Sequence, residues 1–296
     1  VNGDDYADVL VGAPLADVGG SAGGQVYLYL GSSSGLSPTP AFTATGQDDS
    51  AALNVSKAGA GDVNNDGYDD VITSSGYGAP DGTHKGQAYL YLGSSGGLSP
   101  SPVFTITGRA DLDYLGLSGA GAGDVNDDGY DDVIIGAEGA ADGNKGQAYL
   151  YLGNSGGLSP SPAFTITGQA DFDLLGFSVG GAGDVNGDGY DDMLIGAPGV
   201  DMGGTGKGQA YVYLGGSSGL GPSPAFTVTG QADTDYLGIA VAGAGDVNGD
   251  GYDDVLIGAT GAPDGTHKGQ VYLYLGRGVE SIYLPIITNG VLSSPE

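Results

Sequence analysis

A nine-residue acidic segment that recurs at a nearly constant interval constrains this chain more than any other feature. The string Asp-Val-Asn-x-Asp-Gly-Tyr-Asp-Asp begins at Asp62, Asp124, Asp184 and Asp246, so successive copies start 62, 60 and 62 residues apart. A fifth copy opens the 296-residue chain at Val1 and lacks the first aspartate. Repetition at a fixed period indicates a repeat architecture in which each repeat is one supersecondary unit. The chain therefore consists of five similar units.

Each unit predicts four short strands. The acidic segment lies between two apolar runs, for example Leu237–Ala244 and Val255–Gly258 in the last unit. A Tyr-Leu-Tyr-Leu run and a Phe-Thr-x-Thr run follow. Val, Ile, Tyr, Phe and Thr favour strands, whereas Gly, Pro, Asp, Asn and Ser bound them. Because no segment shows a sustained 3.6-residue period, we expect little helix.

The third strand of each unit predicts how the sheets are arranged. In the second unit Tyr89 and Tyr91 point to one face, and Ala88, Leu90 and Leu92 point to the other. A sheet with one face in water would alternate apolar and polar residues. Sheets stacked radially, as in a β-propeller, are covered on both faces. A linear β-solenoid is the alternative, but its coils are shorter than these units.

We therefore predict an all-β propeller of about five four-stranded blades, either a fragment of a larger propeller or assembled into one. The propeller spans residues 1–278, with units at 1–46, 47–108, 109–168, 169–230 and 231–278. A tail over 279–296 contains one strand-like segment, which Pro285 restricts to a sheet edge. This segment could complete the last blade, or it could pair with the exposed edge of a neighbouring molecule.

The acidic segment predicts a binding site for a hard divalent cation. Oxygen-bearing side chains stand at positions 1, 3, 5 and 9, the backbone carbonyl at position 7 can add a ligand, and glycine at position 6 allows a tight turn. Calcium accepts about six to eight oxygens in loose geometry, whereas magnesium requires a near-ideal octahedron. A metal-free Asx turn is the simpler alternative, but four complete copies favour one Ca²⁺ per unit.

The candidate ligands are Asn2, Asp4, Tyr6 and Asp8 in the first loop; Asp62, Asn64, Asp66, Tyr68 and Asp70 in the second; Asp124, Asn126, Asp128, Tyr130 and Asp132 in the third; Asp184, Asn186, Asp188, Tyr190 and Asp192 in the fourth; and Asp246, Asn248, Asp250, Tyr252 and Asp254 in the fifth.

Composition excludes several classes of function. With 7 Lys and Arg against 36 Asp and Glu, the net charge of −29 would repel nucleic acid. The absence of cysteine excludes disulfides and thiolate chemistry, and no apolar run is long enough to span a membrane. A hydrophobic content of 40% and 19 tyrosines indicate a packed core rather than disorder.

No catalytic group or organic cofactor site is predicted. His84 and His267 lie in matching copies of Asp-Gly-Thr-His-Lys-Gly and are interpreted as loop residues of the repeat. The sequence contains no G-x-S-x-G nucleophile motif. A second periodic set of aspartates is interpreted as turn residues rather than as another metal site: Asp111 and Asp113, Asp171 and Asp173, Asp233 and Asp235.

The units resemble FG-GAP repeats, the blades of the integrin α-subunit propeller and of secreted bacterial proteins. Besides the acidic loop, the resemblance rests on Gly-Ala-Pro at 12–14 and 196–198 and on Leu-Gly at 115–116, 175–176 and 237–238, where the family has Phe-Gly. It covers residues 1–276 and implies a calcium loop between the first two strands of each blade. The family usually builds seven blades, whereas this chain shows five loops.

The resemblance implies a non-enzymatic, extracellular or cell-surface propeller that binds calcium and serves in adhesion or matrix interaction. Its partner would be a protein or glycan ligand, or copies of itself. One alternative is a subunit of a self-assembling extracellular filament that exchanges strands through its tail. Another is an enzyme similar to polysaccharide lyases.

Overall fold

The computed structural model describes residues 1–17, 23–46, 56–78, 83–200, 206–261 and 269–277, and the backbone of 286–287. Within these ranges all regular structure is β, which confirms the predicted class. In the same ranges no helix is long and apolar enough to cross a membrane. Residues around His267 and most of the tail lie outside the described ranges.

Five antiparallel sheets follow one another along the chain, and each pairs its strands in chain order. We call them blades 1 to 5. Blade 1 contains β1 (Val9–Ala13), β2 (Gln25–Tyr29) and β3 (Phe42–Thr45); blade 2 contains β4 (Lys57–Gly61), β5 (Asp70–Ser75), β6 (Gln87–Tyr91) and β7 (Phe104–Thr107). Blade 3 contains β8 (Leu115–Gly123), β9 (Asp132–Ala137), β10 (Gln147–Tyr151) and β13 (Phe164–Thr167), with a small ribbon of β11 (Gly153–Asn154) and β12 (Gly157–Leu158).

The last two blades repeat this plan. Blade 4 contains β14 (Ser178–Gly183), β15 (Asp192–Ala197), β16 (Gln209–Tyr213) and β17 (Phe226–Thr229); blade 5 contains β18 (Ala240–Gly245), β19 (Asp254–Ala259), β20 (Gln270–Tyr274) and β21 (Ile286–Ile287). The four-strand prediction is confirmed for blades 2 to 5.

Adjacent blades are joined by hydrophobic layers. Two successive residues of β10 show the principle, because Tyr149 packs in the cluster shared with blade 2 and Leu150 in the cluster shared with blade 4. Both side chains are fully buried. The third strand is therefore covered on both faces, as its composition predicted, and the stack of sheets is a β-propeller arrangement.

The first strands of blades 2 to 5 pack backbone to backbone. A Cβ atom on Gly181 of β14 would lie 2.9 Å from the carbonyl oxygen of Gly121 on β8, and one on Gly243 of β18 would lie 2.8 Å from that of Gly181. This close approach explains the Ala-Gly-Ala-Gly sequence of these strands. It also brings the acidic loops, which follow the first strands directly, side by side at one end of the blades.

The two terminal blades differ from the others. Blade 1 has three strands, because its sheet begins with the strand that follows the acidic loop. In blade 5 the tail segment β21 pairs antiparallel with β20, with Ile286 opposite Tyr272. The tail backbone thus takes the fourth position of its own blade, the first of the two arrangements expected from the sequence.

Candidate metal loops and the contacts between them

Each complete acidic loop connects the first and second strands of its blade. In blade 3 the loop follows Gly123, the last residue of β8, and ends at Asp132, the first residue of β9. A register shift between Gly121 and Gly123 and the positive φ of Gly123 turn the chain out of the strand. The loop therefore has the place in the blade that the FG-GAP resemblance implies.

The side chains at positions 1, 3 and 5 converge on the inside of the loop. In blade 3 the amide of Asp128 donates to Asp124 Oδ1 at 3.0 Å and to Asn126 Oδ1 at 3.2 Å. Asn126 Nδ2 donates to Asp128 Oδ2 at 2.9 Å, and the amides of Gly129 and Tyr130 donate to Asp124 Oδ2 and Asp128 Oδ1. The same bonds occur in the loops that begin at Asp62, Asp184 and Asp246.

The first loop keeps the part of this pattern that its sequence allows. Asn2 Nδ2 donates to Asp4 Oδ2 at 2.8 Å, and the amide of Tyr6 donates to Asp4 Oδ1 at 3.1 Å. Position 7 is tyrosine in every copy, and in each loop its amide bonds to the aspartate at position 5. The role predicted for its carbonyl oxygen as a ligand stays a prediction.

The aspartate at position 9 anchors the loop from behind. Asp132 is fully buried, and its Oδ2 and Oδ1 accept the amides of Val125 at 3.1 Å and Gly153 at 2.8 Å. Equivalent pairs of bonds hold Asp8, Asp70, Asp192 and Asp254. The structure thus gives this residue a structural task that its predicted role as a ligand did not include.

Burial raises the pKa of three position-9 aspartates. The pKa of Asp70, Asp132 and Asp192 rises to about 7, mainly because burial disfavours the charged form. Hydrogen bonds from two amides to each carboxylate oppose this rise. The negative charges of the aspartates at positions 5 and 1, such as Asp128 and Asp124 for Asp132, raise the pKa further. Position 9 therefore lies close enough to the other acidic groups to share their electrostatic field.

The donor chemistry of the loops fits calcium. Among the described residues no three acidic or histidine side chains already stand in a geometry that could hold an ion. In blade 3 each carboxylate oxygen of Asp124 and Asp128 nevertheless accepts one N–H and keeps a second lone pair, whereas Oδ1 of Asp184 and of Asp246 accepts two amides. The side-chain atoms that could bind a metal are all oxygens, which calcium prefers. Among the described residues, the amino group of Val1 lies 3.0 Å from Asp8 Oδ2 and His84 Nδ1 lies 3.9 Å from Asp111 Oδ1, and both contacts lie outside the four complete loops.

The aspartate at position 8 joins neighbouring blades. Asp191 of blade 4 accepts the amide of Asp124 of blade 3 on Oδ2 at 2.9 Å, and its own amide donates to the Asp124 carbonyl at 3.3 Å. A Cβ on Gly123 would lie 2.1 Å from that carboxylate oxygen, so only glycine fits there. We call this pair of bonds the inter-blade staple, and it recurs between Asp62 and Asp131 and between Asp184 and Asp253.

Sequence reasoning missed the staple, although a signal was present. Position 8 is aspartate in all four complete copies, whereas position 4 varies among Asn, Asp and Gly. The proposed metal site does not require position 8, so the aspartate found there in every complete copy indicates a second role. In the first copy this position is Ala7.

The second set of aspartates shapes turns, as predicted. Asp113 Oδ2 accepts the amides of Arg109 and Ala110, both at 2.7 Å. Asp173 bonds in the same way, and Asp235 Oδ2 accepts the amide of Ala232 at 2.8 Å. Asp111 Oδ1 accepts the amide of His84 at 2.8 Å, and the His84 ring is half exposed. These contacts explain His84 as a loop residue, while His267 lies outside the described residues.

The end of the blades opposite the acidic loops displays exposed apolar side chains. In an antiparallel blade the second-to-third connection and the link to the next blade lie at that end. Leu112 and Phe172 occupy equivalent positions there, each at positive φ, and the Phe172 side chain is 64% exposed. Tyr77 and Tyr114 meet edge to face nearby at 5.8 Å. Bulky residues at positive φ are strained, and such strain concentrates at functional sites.

Comparison with known proteins decides the family. The FG-GAP repeat matches residues 1–29, 54–91, 116–151, 175–213 and 237–274, which together are more than half of the chain. The chain belongs to the FG-GAP repeat family. Every matched segment contains one acidic loop and the second and third strands of its blade.

The relatives of this FG-GAP chain include integrin α-subunits. Integrin alpha-8 of Gallus gallus is 31% identical over 207 residues, which are 66% of this chain and 19% of that protein. Integrin alpha-5 of Xenopus laevis is 28% identical over 233 residues, 74% of this chain and 21% of that protein. Integrin alpha-IIb of Mus musculus is 40% identical over 152 residues, 48% and 14% respectively.

The FG-GAP chain thus spans about a fifth of the length of these curated relatives, or less. The predicted integrin-like propeller is confirmed, and the predicted similarity to secreted bacterial proteins stays a prediction.

Removal of a staple should destabilise the propeller. Asp191→Ala would leave the part-buried amide of Asp124 without its acceptor, which costs on the order of 1 kcal/mol. Asp69→Ala is the matched control, because Asp69 has the same loop position but is exposed and accepts no blade 1 amide among the described residues. Calorimetry should therefore show a lower melting temperature for Asp191→Ala alone. An equal loss in both variants would contradict the staple.

Stability of the metal-free chain should fall as the pH rises from about 4 to about 7. The raised pKa of Asp70, Asp132 and Asp192, about 7 against 3.8 for a free side chain, stabilises the folded state at low pH. That contribution is lost as the pH passes the folded pKa. Asp4 and Asp246, whose pKa is lowered by hydrogen bonds, titrate below this window.

Calcium bound by deprotonated carboxylates would compete with these protons. The difference in melting temperature between calcium and chelator should therefore widen with pH in the same window. A metal-free melting temperature that rises with pH would contradict the assignment.

Proposed function

We propose that this chain is a non-enzymatic, calcium-stabilised propeller that works outside the cell in adhesion or in matrix or surface interaction. One observation carries the calcium part. In every complete loop the side-chain oxygens of positions 1 and 3 accept the same position-5 amide, and the side-chain amide of position 3 donates to the position-5 carboxylate, as in blade 3. A buried position-9 carboxylate lies at the end of the same loop. Adhesion is what the resemblance to integrin α-subunits implies, and the exposed apolar side chains opposite the loops give it a surface.

Calcium would be held by the residues at positions 1, 3, 5, 7 and 9 of each loop. When bound, the ion supplies positive charge that offsets the repulsion among the clustered carboxylates. The proposed ligand set is the one predicted from the sequence, with position 9 acting both as anchor and as ligand.

The proposed calcium sites support an extracellular location. Loops with weak to moderate affinity would stay filled where calcium is near millimolar, and saturation at about 100 times Kd adds about 2.7 kcal/mol of stability per site. The chain has no cysteine and therefore no disulfides. Bound calcium would then link the first and second strands of a blade without a covalent bond.

The proposed ligand surface is the end of the blades opposite the acidic loops. Phe172, Leu112 and Tyr77 are exposed there, and His84 and Tyr114 lie with ring centroids 6.2 Å apart. Exposed apolar and aromatic groups mark contact surfaces for proteins or glycans. The alternative is strand exchange between molecules through the tail, which requires a free strand. β21 instead pairs within its own blade.

Calcium binding can be tested with two neighbouring residues of one loop. Asp128→Asn removes the charge at ligand position 5, and Asp127→Asn removes a charge at position 4, which provides no ligand. Because calcium affinity follows ligand charge, the first variant should bind calcium at this loop about tenfold more weakly. Its melting temperature should fall in calcium but hardly in chelator. Equal behaviour of the two variants in calcium titration calorimetry would contradict the ligand assignment.

Adhesion can be tested by binding to arrayed glycans and matrix proteins, with calcium and with chelator. The account predicts a ligand that is bound in calcium and released by the chelator. Phe172→Ser should weaken that binding, whereas Leu36→Ser should not, because Leu36 is 53% exposed but lies at the end of the blades that carries the acidic loops. Absence of any calcium-dependent ligand, or equal loss in both variants, would count against the proposal.

A further inference from the structure

Two of the four complete acidic loops contain an Asn-Gly dipeptide. Position 3 is asparagine in all four, but the residue that follows it differs: the pair is Asn-Gly at 186–187 and 248–249, Asn-Asn at 64–65 and Asn-Asp at 126–127. The backbone nitrogen that follows an asparagine can attack the side-chain amide carbon and displace ammonia. Glycine favours this attack, because it has no Cβ atom to hinder its nitrogen.

The loop that contains Asn186 holds the attacking nitrogen against a carboxylate. The amide of Gly187 donates to Asp184 Oδ1 at 2.7 Å. The amide of Gly249 donates to Asp246 Oδ1 at the same distance of 2.7 Å. A carboxylate at hydrogen-bond distance can take the proton that the nitrogen must lose as it attacks. Asp184 and Asp246 therefore lie where a general base is needed.

The carbonyl group under attack is held as well. Asn186 Oδ1 accepts the amide of Asp188 at 3.0 Å, and Asn186 Nδ2 donates to Asp188 Oδ2 at 2.9 Å. An N–H donor on the carbonyl oxygen stabilises the negative charge that develops there when the nitrogen adds. Asn64 makes the same two bonds with Asp66, at 3.2 and 3.0 Å. The loops therefore share the arrangement of the carbonyl group and differ in the attacking nitrogen.

The corresponding nitrogen of the second loop has a different partner. The amide of Asn65 donates to the backbone carbonyl of Asp62 at 3.3 Å, and the Cβ atom of Asn65 stands beside it. Asn65 and Gly187 both have positive φ, 54° and 74°, so the backbone turns in the same direction in both loops. An unhindered nitrogen and a carboxylate that accepts its proton thus occur together in the loops of Asn186 and Asn248.

Packing between blades accounts for the glycine in blade 4. A Cβ atom on Gly187 would lie 2.5 Å from Cε1 of Tyr252, the position-7 tyrosine of blade 5. The contact with the next blade therefore requires glycine here, and the reactive dipeptide is a consequence of that packing. Gly187 is nevertheless exposed, so water reaches the atoms that react.

We propose that the loops of Asn186 and Asn248 promote the deamidation of their own position-3 asparagine. In blade 4 the nitrogen of Gly187 forms a bond to Asn186 Cγ, and its proton passes to Asp184 Oδ1. The Cγ–Nδ2 bond breaks, and the departing nitrogen takes a proton from water and leaves as ammonia. Water then opens the succinimide ring to aspartate or isoaspartate, and Asp184 returns its proton to solvent.

The products change the charge of a proposed calcium ligand. An aspartate at position 3 adds a carboxylate to a loop that already contains four, Asp184, Asp188, Asp191 and Asp192. Isoaspartate adds the same charge but lengthens the backbone by a methylene group. Since calcium affinity follows ligand charge and geometry, the aspartate form should bind calcium more tightly and the isoaspartate form more weakly. This consequence rests on the proposed calcium sites, whereas the deamidation does not.

Peptide mass spectrometry of the full chain, aged at neutral pH in chelator, measures the reaction at each asparagine. The two asparagines that precede glycine should convert about 100-fold faster than Asn64 and Asn126, the order of magnitude that a positioned base contributes. An isoaspartyl methyltransferase should label the aged chain at the same two positions. Equal rates at all four positions would overturn the proposal.

Two variants separate the geometry of the loop from the chemistry of the dipeptide. Asp184→Asn keeps a hydrogen-bond acceptor but removes the base, so it should slow conversion of Asn186 about tenfold in the folded chain. It should change nothing in urea, where the loop is not formed. Asn65→Gly should raise the rate at Asn64 towards that at Asn186. Circular dichroism confirms that each variant is folded.

Two results with these variants would overturn the proposal. One is a rate at Asn186 in the folded chain that Asp184→Asn leaves unchanged, and the other is a rate at Asn64 that Asn65→Gly does not raise. Calcium titration of the aged chain tests the consequence separately. Complete deamidation with unchanged calcium affinity would count against the proposed ligands and leave the deamidation standing.

Discussion

Repulsion among the carboxylates of each acidic loop is the constraint on which the rest of the structure depends. Two like charges about 4 Å apart repel by about 4 kcal/mol at an effective dielectric constant near 20. In blade 3 burial raises the pKa of Asp132, and the nearby charges of Asp128 and Asp124 raise it further. A divalent cation, as proposed for these loops, would offset this repulsion. The positive charge of the proposed calcium would thus offset the negative charges that the loop sequence brings together.

One short segment performs three tasks at successive positions. Positions 1, 3 and 5 turn their oxygens into the loop, position 8 bonds to the preceding blade, and position 9 bonds to amides of its own blade. The first and second tasks meet at Asp124, whose side chain faces the loop and whose amide is held by Asp191. Ordering of one loop is therefore coupled directly to the contact between two blades. The proposed calcium would therefore act on the contact between two blades as well as on its own loop.

Local pattern was sufficient to predict the strands but not the contacts between units. Strand type, the blade plan and the burial of both faces of β10 followed from residue types within one unit, because these properties depend on neighbours close in sequence. The staple of Asp191 could not be derived in that way, since its partner Asp124 is 67 residues away. The anchoring of Asp132 by Gly153 likewise depends on strand pairing. The exposed Phe172 turn is visible only once backbone angles are known.

Calcium content at equilibrium tests the central claim most directly. The purified chain would be stripped with chelator, dialysed against millimolar calcium at neutral pH, and analysed for bound metal by mass spectrometry. With four complete loops and one incomplete loop, the account predicts four to five calcium ions per chain, released again by chelator with a fall in melting temperature. A chain that binds no calcium under these conditions and melts at the same temperature with and without chelator would contradict it.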